Sequence, residues 1–316
     1  LVLLKLVKSL VKKDKKDKNK KQRMILKIGS RGKEVKELQE FLEIGADGVF
    51  GSGTESAVKK WQSENGLGSD GIVGPATWDA MGIATTDNSE KIYETENGLI
   101  VNRHLLPVGE YKQGPTNKEY VFIHHTAGWH NPYNCIDQWA RDTRGAVATE
   151  FVLGGPSVKG NDTKYDGEMV QCIPEGGYGW HLGKNGSRHM HTHSVGIEVC
   201  NFGWVKNGKT YAGTRVHESQ LVTLDQEFRG HKTWHRYSDT QIESLRKWIL
   251  WVGERDSIDV RKGLPESIKK IGVSAFEFNE DAYYGRIKGL WTHTNTRKDK
   301  VDMFPQKELV DMLVSL

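Results

Sequence analysis

Cysteine is scarce in this chain: Cys135, Cys172 and Cys200 are the only three in 316 residues, with no closely spaced pair. An odd, scattered set argues against a disulfide framework and suits a protein made in a reducing cytosol. Cys200 reads as a small buried hydrophobe rather than a metal ligand. Long apolar runs are missing too, since no stretch approaches the roughly 18 residues that a membrane span requires. The opening Leu1-Val-Leu-Leu-Lys-Leu-Val-Lys-Ser-Leu-Val11 is broken by Lys5 and Lys8. Its charge cluster follows it, the reverse of a signal peptide. The body of the chain also lacks positive charge. Residues 1–23 carry ten Lys/Arg against two Asp, so the formal +4 of the whole leaves about −4 for the rest. A nucleic-acid partner thereby loses its electrostatic support.

A chain of this length predicts two domains. Residues 1–23 are a basic extension, expected to be disordered. They read either as a cationic segment able to touch anionic membranes or as an addition outside the natural protein, and Met24, directly before the first patterned segment, favours the second. Residues 25–84 read as a small three-helix domain. Ser30 is placed to cap a helix bearing Val35, Leu38, Phe41 and Leu42 at helical spacing. Asp47-Gly-Val-Phe-Gly51 and Asp70-Gly-Ile-Val-Gly74 repeat one turn signature, and Pro75 opens the third helix. Residues 85–117 read as a linker and lead-in.

Residues 118–316 predict an α/β domain with a mixed central sheet flanked by helices. Strands are expected at Tyr120–His124, Thr149–Leu153, Met169–Ile173 and Val195–Val199, and helices near Asn134–Asp142 and after a Ser238–Gln241 capping box. His293 and Asp302 lie nine residues apart, and His124 ends the apolar run Tyr-Val-Phe-Ile far upstream. Together they form a plausible three-ligand zinc set with an open fourth position. Glu198 sits inside the apolar run Ser194-Val-Gly-Ile-Glu198, where an acid has no packing reason to be. It is a natural proton acceptor for a water acidified by the metal.

Phe122-Ile-His-His-Thr-Ala127, Gly179-Trp-His-Leu-Gly183, Ser194-Val-Gly-Ile-Glu198 and the His293–Pro305 run resemble zinc amidases that cleave N-acetylmuramoyl-L-alanine bonds in peptidoglycan. That family shares its fold with peptidoglycan recognition proteins. The resemblance implies one zinc ion bound by His124, His293 and Asp302, Glu198 as general base, and Lys300 stabilising the oxyanion. In an extended segment Lys300 and Asp302, two residues apart, would point the same way. His181, Trp180 and Thr126 are implied substrate contacts. A catalytic tyrosine of some relatives would fall at Thr149 or Glu150; its absence supports Glu198, with Glu150 as a competitor. The doubled turn of residues 25–84 resembles a peptidoglycan-binding module, with Phe50, Trp61 and Trp78 as glycan-contact candidates or core.

His125 should point away from His124 and serve structure. His189, His191 and His193 alternate like a metal-binding run, although they fall in an expected loop. Residues 255–290 interrupt the family pattern and are expected to form a helix plus a loop near the site. The resemblance implies a monomeric phage-type endolysin, made in a bacterial cytoplasm, exported through pores made by a partner, and acting on the cell wall. A bacterial autolysin or recycling amidase and a non-catalytic peptidoglycan receptor are the alternatives.

Overall fold

The computed structural model describes residues 25–81, 93–113, 117–183 and 188–316. The expectations for residues 1–23 and for the linker around 85–92 lie outside them. The chain divides into two compact units, residues 1–90 with Pro107–Gly109, and residues 91–106 with 110–316. No helix among the described residues is long and apolar enough to cross a membrane.

The first unit carries α1 (Lys33–Phe41), α2 (Ser52–Glu64) and α3 (Pro75–Ala80). Leu26, Val35, Leu38, Phe50, Val58, Val73, Trp78 and Met81 form its core. The doubled signature is an internal structural repeat built around two buried glutamines. Gln39 Nε2 donates to Asp47 Oδ1, the Val49 carbonyl and Thr54 Oγ1, and its Oε1 accepts from the Gly48 N–H. Gln62 does the same to Asp70, Ile72, Thr77 and Gly71. Each turn thus satisfies its backbone groups through one side chain from the preceding helix. Phe50 and Trp78 are buried in the core, whereas half-buried Trp61 packs edge-on to exposed Phe41 at 5.9 Å. Ser30 is not the helix cap. Gly32 takes that position, while Ser30 Oγ accepts from the Lys27 N–H within the turn.

The second unit is organised by a seven-stranded mixed sheet. In chain order its strands are β1 (Tyr93–Glu94), β2 (Ile100–Arg103), β3 (Tyr120–His125), β4 (Phe151–Leu153), β5 (Met169–Gln171), β6 (Ser194–Val199) and β7 (Gly289–Thr292). Their spatial order is β1-β2-β5-β4-β6-β3-β7. β4, β6, β3 and β7 run parallel to their neighbours in that series. All of β3 and nearly all of β6 are buried, which explains their continuous apolar runs. The lead-in expected between the domains supplies β1 and β2; strands this short leave little periodicity to read.

α4 (Pro132–Arg141) starts on Asn131, whose side chain accepts from the N–H groups of Tyr133 and Asn134. α5 (Asp239–Arg255) has the expected capping box and buries Ile242, Leu245, Trp248, Ile249 and Val252. Trp248 meets Phe151 of the sheet at 5.5 Å. A hairpin of Leu221–Phe228 and His231–His235, turning at Arg229-Gly230, has no counterpart in the sequence expectations. α6 (Leu264–Ile271) and α7 (Lys307–Val314) complete the unit.

Candidate active site

Strand register brings distant residues together. β3 and β6 pair so that His124 stands opposite Glu198. β7 pairs with the other edge of β3, Thr292 against Ile123, so the next residue, His293, emerges beside His124. This is the carboxyl end of the parallel strands, where open α/β sheets place their ligand sites. The chain leaves His293 in a short helix, loops, and returns with the Thr294 N–H donating to the Asp302 carbonyl at 3.0 Å. Phe304 is stacked between Trp234 and Tyr237, at 4.4 and 4.5 Å. Gln306 accepts from the Tyr237 N–H at 2.8 Å and donates to its carbonyl at 2.9 Å. Arg229 of the hairpin turn donates to the Lys298 and Thr294 carbonyls. The unexpected hairpin is therefore the brace of the Asp302 loop.

His124, His293 and Asp302 are all buried, with one ligand atom each within 4.8 Å of the others. Asp302 Oδ2 lies 3.0 Å from His293 Nδ1 and 3.4 Å from His124 Nδ1. His124 Nδ1, His293 Nε2 and Glu198 Oε2 are buried without hydrogen-bond partners. Burial pushes the His124 imidazole down to about 4 against the help of Asp302, so it stays neutral with a free lone pair at neutral pH. Burial by itself would raise Asp302, but the neighbouring His293 and His124 rings outweigh it and hold the carboxylate well below its usual range. Two imidazoles and one carboxylate, with His124 Nδ1 and His293 Nε2 buried and unpartnered, fit a divalent cation that accepts nitrogen and oxygen donors.

These groups belong to a cleft of about 930 Å³ lined by His293, Asp302, Lys300, Glu198, His181, Trp180 and Thr126, among others. His124 is fully buried and does not line it. Lys300 bears electrostatically on both His124 and Glu198. Burial first, then the Asp302 charge, drives the Glu198 carboxyl well above its ordinary value, with Lys300 opposing.

Residues 114–269 match the family model of N-acetylmuramoyl-L-alanine amidases. That segment, just under half of the chain, carries the likeness to this family. Residues 31–81 match a second model, described as "Putative peptidoglycan binding domain". No curated protein matches the chain. Among solved structures, a Burkholderia AP3 phage endolysin is 36% identical over 21% of this chain and 27% of its own, with a TM-score of 0.19. A fused Zn-dependent amidase/peptidase/peptidoglycan-binding protein of Clostridium acetobutylicum is 35% identical over 21% of this chain and 32% of its own, at 0.19. The chain thus spans about a third or less of the length of those two proteins. The E. coli amidase AmiD, solved with anhydro-N-acetylmuramic acid-L-Ala-D-gamma-Glu-L-Lys, is 20% identical over 47% of this chain and 48% of its own, at 0.30.

The remaining polar candidates make other contacts. His125 also lines the cleft, but its Nδ1 lies 2.8 Å from the Tyr237 hydroxyl and it is not part of the three-residue cluster. His191 packs on Trp180 and reaches the Gly183 carbonyl, whereas His189 and His193 stack on each other at 3.9 Å, with His189 paired to Glu119. Among the described residues, His124, His293 and Asp302 are the only group of three donors placed to hold a metal. Glu150 does not line the cleft. It is buried against Arg255 at 3.0 Å. Residues 255–290 include α6 and do not line the cleft. They support the back of the His293 turn, where Asn295 Nδ2 donates to the Ala275 and Glu277 carbonyls. His181 lies against the cluster: its Nδ1 is 3.0 Å from His124 Nε2 and its Nε2 2.8 Å from Ser194 Oγ. Nothing in the spacing of the Gly-Trp-His-Leu-Gly motif signals that contact.

Proposed function

We propose that this amidase hydrolyses the bond between N-acetylmuramic acid and L-alanine in bacterial peptidoglycan, with one zinc ion held by His124, His293 and Asp302. The observation that carries the reading is the buried two-histidine, one-carboxylate cluster beside a cleft that also contains Glu198. When bound, zinc supplies Lewis acidity, making a water acidic near neutral pH and polarising the scissile carbonyl. Glu198 takes the proton from the attacking water and returns it to the leaving alanine nitrogen. Its burial suits both halves, because a raised pKa makes the carboxylate a stronger base and lets the carboxyl hold the proton until the nitrogen leaves. Lys300 faces the developing oxyanion, a contribution of about 3 to 4 kcal/mol in comparable acyl-transfer sites. Trp180 and Thr126 line the substrate path.

A peptidoglycan-binding domain ahead of an amidase is the arrangement of a wall-lytic enzyme, and we read the chain as an endolysin acting at the cell wall. The full donor set together with Glu198 argues against a non-catalytic receptor. Mass spectrometry of purified peptidoglycan digested with and without chelator tests the reading. Stem peptides with a free N-terminal L-alanine, lost on chelation and restored by zinc, are expected. Reducing sugar ends without new alanine termini would point to a glycosidase and overturn it.

A further inference from the structure

His181 is tied at both ring nitrogens to the protein itself. Its Nδ1 lies 3.0 Å from His124 Nε2, the rings meeting edge-on at 86°, and its Nε2 lies 2.8 Å from Ser194 Oγ. The Ser194 hydroxyl reaches the His191 carbonyl at 3.5 Å. On its other side, the His124 ring turns Nδ1, which has no hydrogen-bond partner, toward Asp302. We propose that His181 is a positioning residue that, with Ser194, fixes the tautomer of His124 so that Nδ1 presents its lone pair to the metal. The inference rests on reading the cluster as a metal centre.

The direction of the chain follows from its far end. A carbonyl can only accept, so the Ser194 hydroxyl donates to His191 and its oxygen is left to accept from His181 Nε2–H. A neutral imidazole carries a single N–H. His181 therefore accepts at Nδ1 from His124 Nε2–H, and the His124 lone pair lies at Nδ1. The opposite order would put the proton on His124 Nδ1 and close that ligand atom. Metal-binding histidines ordinarily donate their second N–H to a carboxylate, carbonyl or water, which sets ring orientation and ligand basicity. Here the acceptor is a neutral imidazole, which adds no negative charge beside Asp302 and Glu198.

Two sequence motifs are joined by this contact. Gly196, in the Ser-Val-Gly-Ile-Glu run, lies where a Cβ would come within 3.1 Å of His181 Nδ1 and Cε1 and 2.9 Å of Thr149 Cγ2. The glycine between Ser194 and Glu198 makes room for the His181 ring. Gly179 makes a similar allowance, since a Cβ there would sit 2.1 Å from the Ala148 carbonyl oxygen. The strand that carries Glu198 and the segment that carries His181 are thus shaped to each other.

The test measures zinc affinity of the full chain by competition with a chromophoric chelator, alongside thermal melting of the metal-free protein. His181→Leu fills the space but offers no acceptor, and it should bind zinc about 10- to 100-fold more weakly than the wild type. His181→Asn can place an amide oxygen near the former Nδ1 and should recover most of that loss. Ser194→Ala should fall between them. The visible spectrum of the cobalt-substituted Leu variant should change, reporting a disturbed ligand. If His181→Leu binds zinc as tightly as the wild type, or if the Asn and Leu variants are equally weak while both melt normally, the positioning role is overturned. A wild-type protein that takes up no zinc would instead defeat the metal reading itself.

Discussion

Glu198 is held in a site that works against its own charge. Burial and the neighbouring Asp302 favour its protonated form, and only Lys300 opposes them. Glu198→Gln should lower the rate about 10²- to 10⁴-fold, the usual range for a general base, with zinc content unchanged. The same burial has a stability consequence. A carboxyl whose folded pKa is raised binds its proton more tightly in the native state than in the unfolded chain. Between the ordinary 4.5 and the raised value, stability therefore falls as pH rises. The metal-free Glu198→Gln protein should accordingly melt higher than the metal-free wild type at alkaline pH and alike below pH 4.5. Equal melting at both ends would show that the carboxylate is not penalised. His124, Glu198, His293 and Asp302 are visible in the sequence because each is a polar residue of metal or proton chemistry at a marked position. The part played by His181 is invisible there. It depends on which way a ring faces across a separation of 57 positions.

At the scale of elements, the first unit rests on two side chains that do the work of backbone. Gln39 and Gln62 are each almost wholly buried and each make four hydrogen bonds within one turn. Gln39→Leu or Gln62→Leu keeps apolar bulk but strands an N–H and a carbonyl, at a cost of about 1 to 3 kcal/mol for each group left unpaired. Hydrogen exchange should show faster opening across residues 25–81 and no change in the sheet of the second unit. The Asp-Gly turns advertise this repeat in the sequence; the glutamines that hold them do not, because they lie a helix turn away among ordinary polar residues. The hairpin at Arg229-Gly230 was illegible for a related reason. Its alternation is weak, with charged residues along one strand, and its value lies in Arg229 and Trp234 gripping a loop some 70 residues later.

For the second unit as a whole, acid should be the first chemical threat. Burial depresses His124 and His125 to about 4 and His235 to about 3, all from 6.5. Below 6.5 the unfolded chain takes up protons that these rings refuse in the fold, so stability is intact above that pH and declines as it falls toward 4. Thermal melts of the metal-free protein should show this loss between pH 6.5 and 4, and a flat profile there would contradict the burial of these rings. Zinc at about a thousand times its dissociation constant should add roughly 4 kcal/mol to the unfolding free energy of the second unit alone. Chelation should lower that transition and leave the first unit unmoved.

The three donors also carry a history of assembly. His124 stands on the third strand of the sheet, whereas His293 and Asp302 arrive only after the last strand has docked beside it. Chains emerge amino end first and their domains fold as they appear. The first unit can therefore be complete while the cluster is still two of its three residues short. The three-residue cluster is the last feature this molecule assembles, and on the function proposed above a chain cut off before residue 289 would bind peptidoglycan without hydrolysing it.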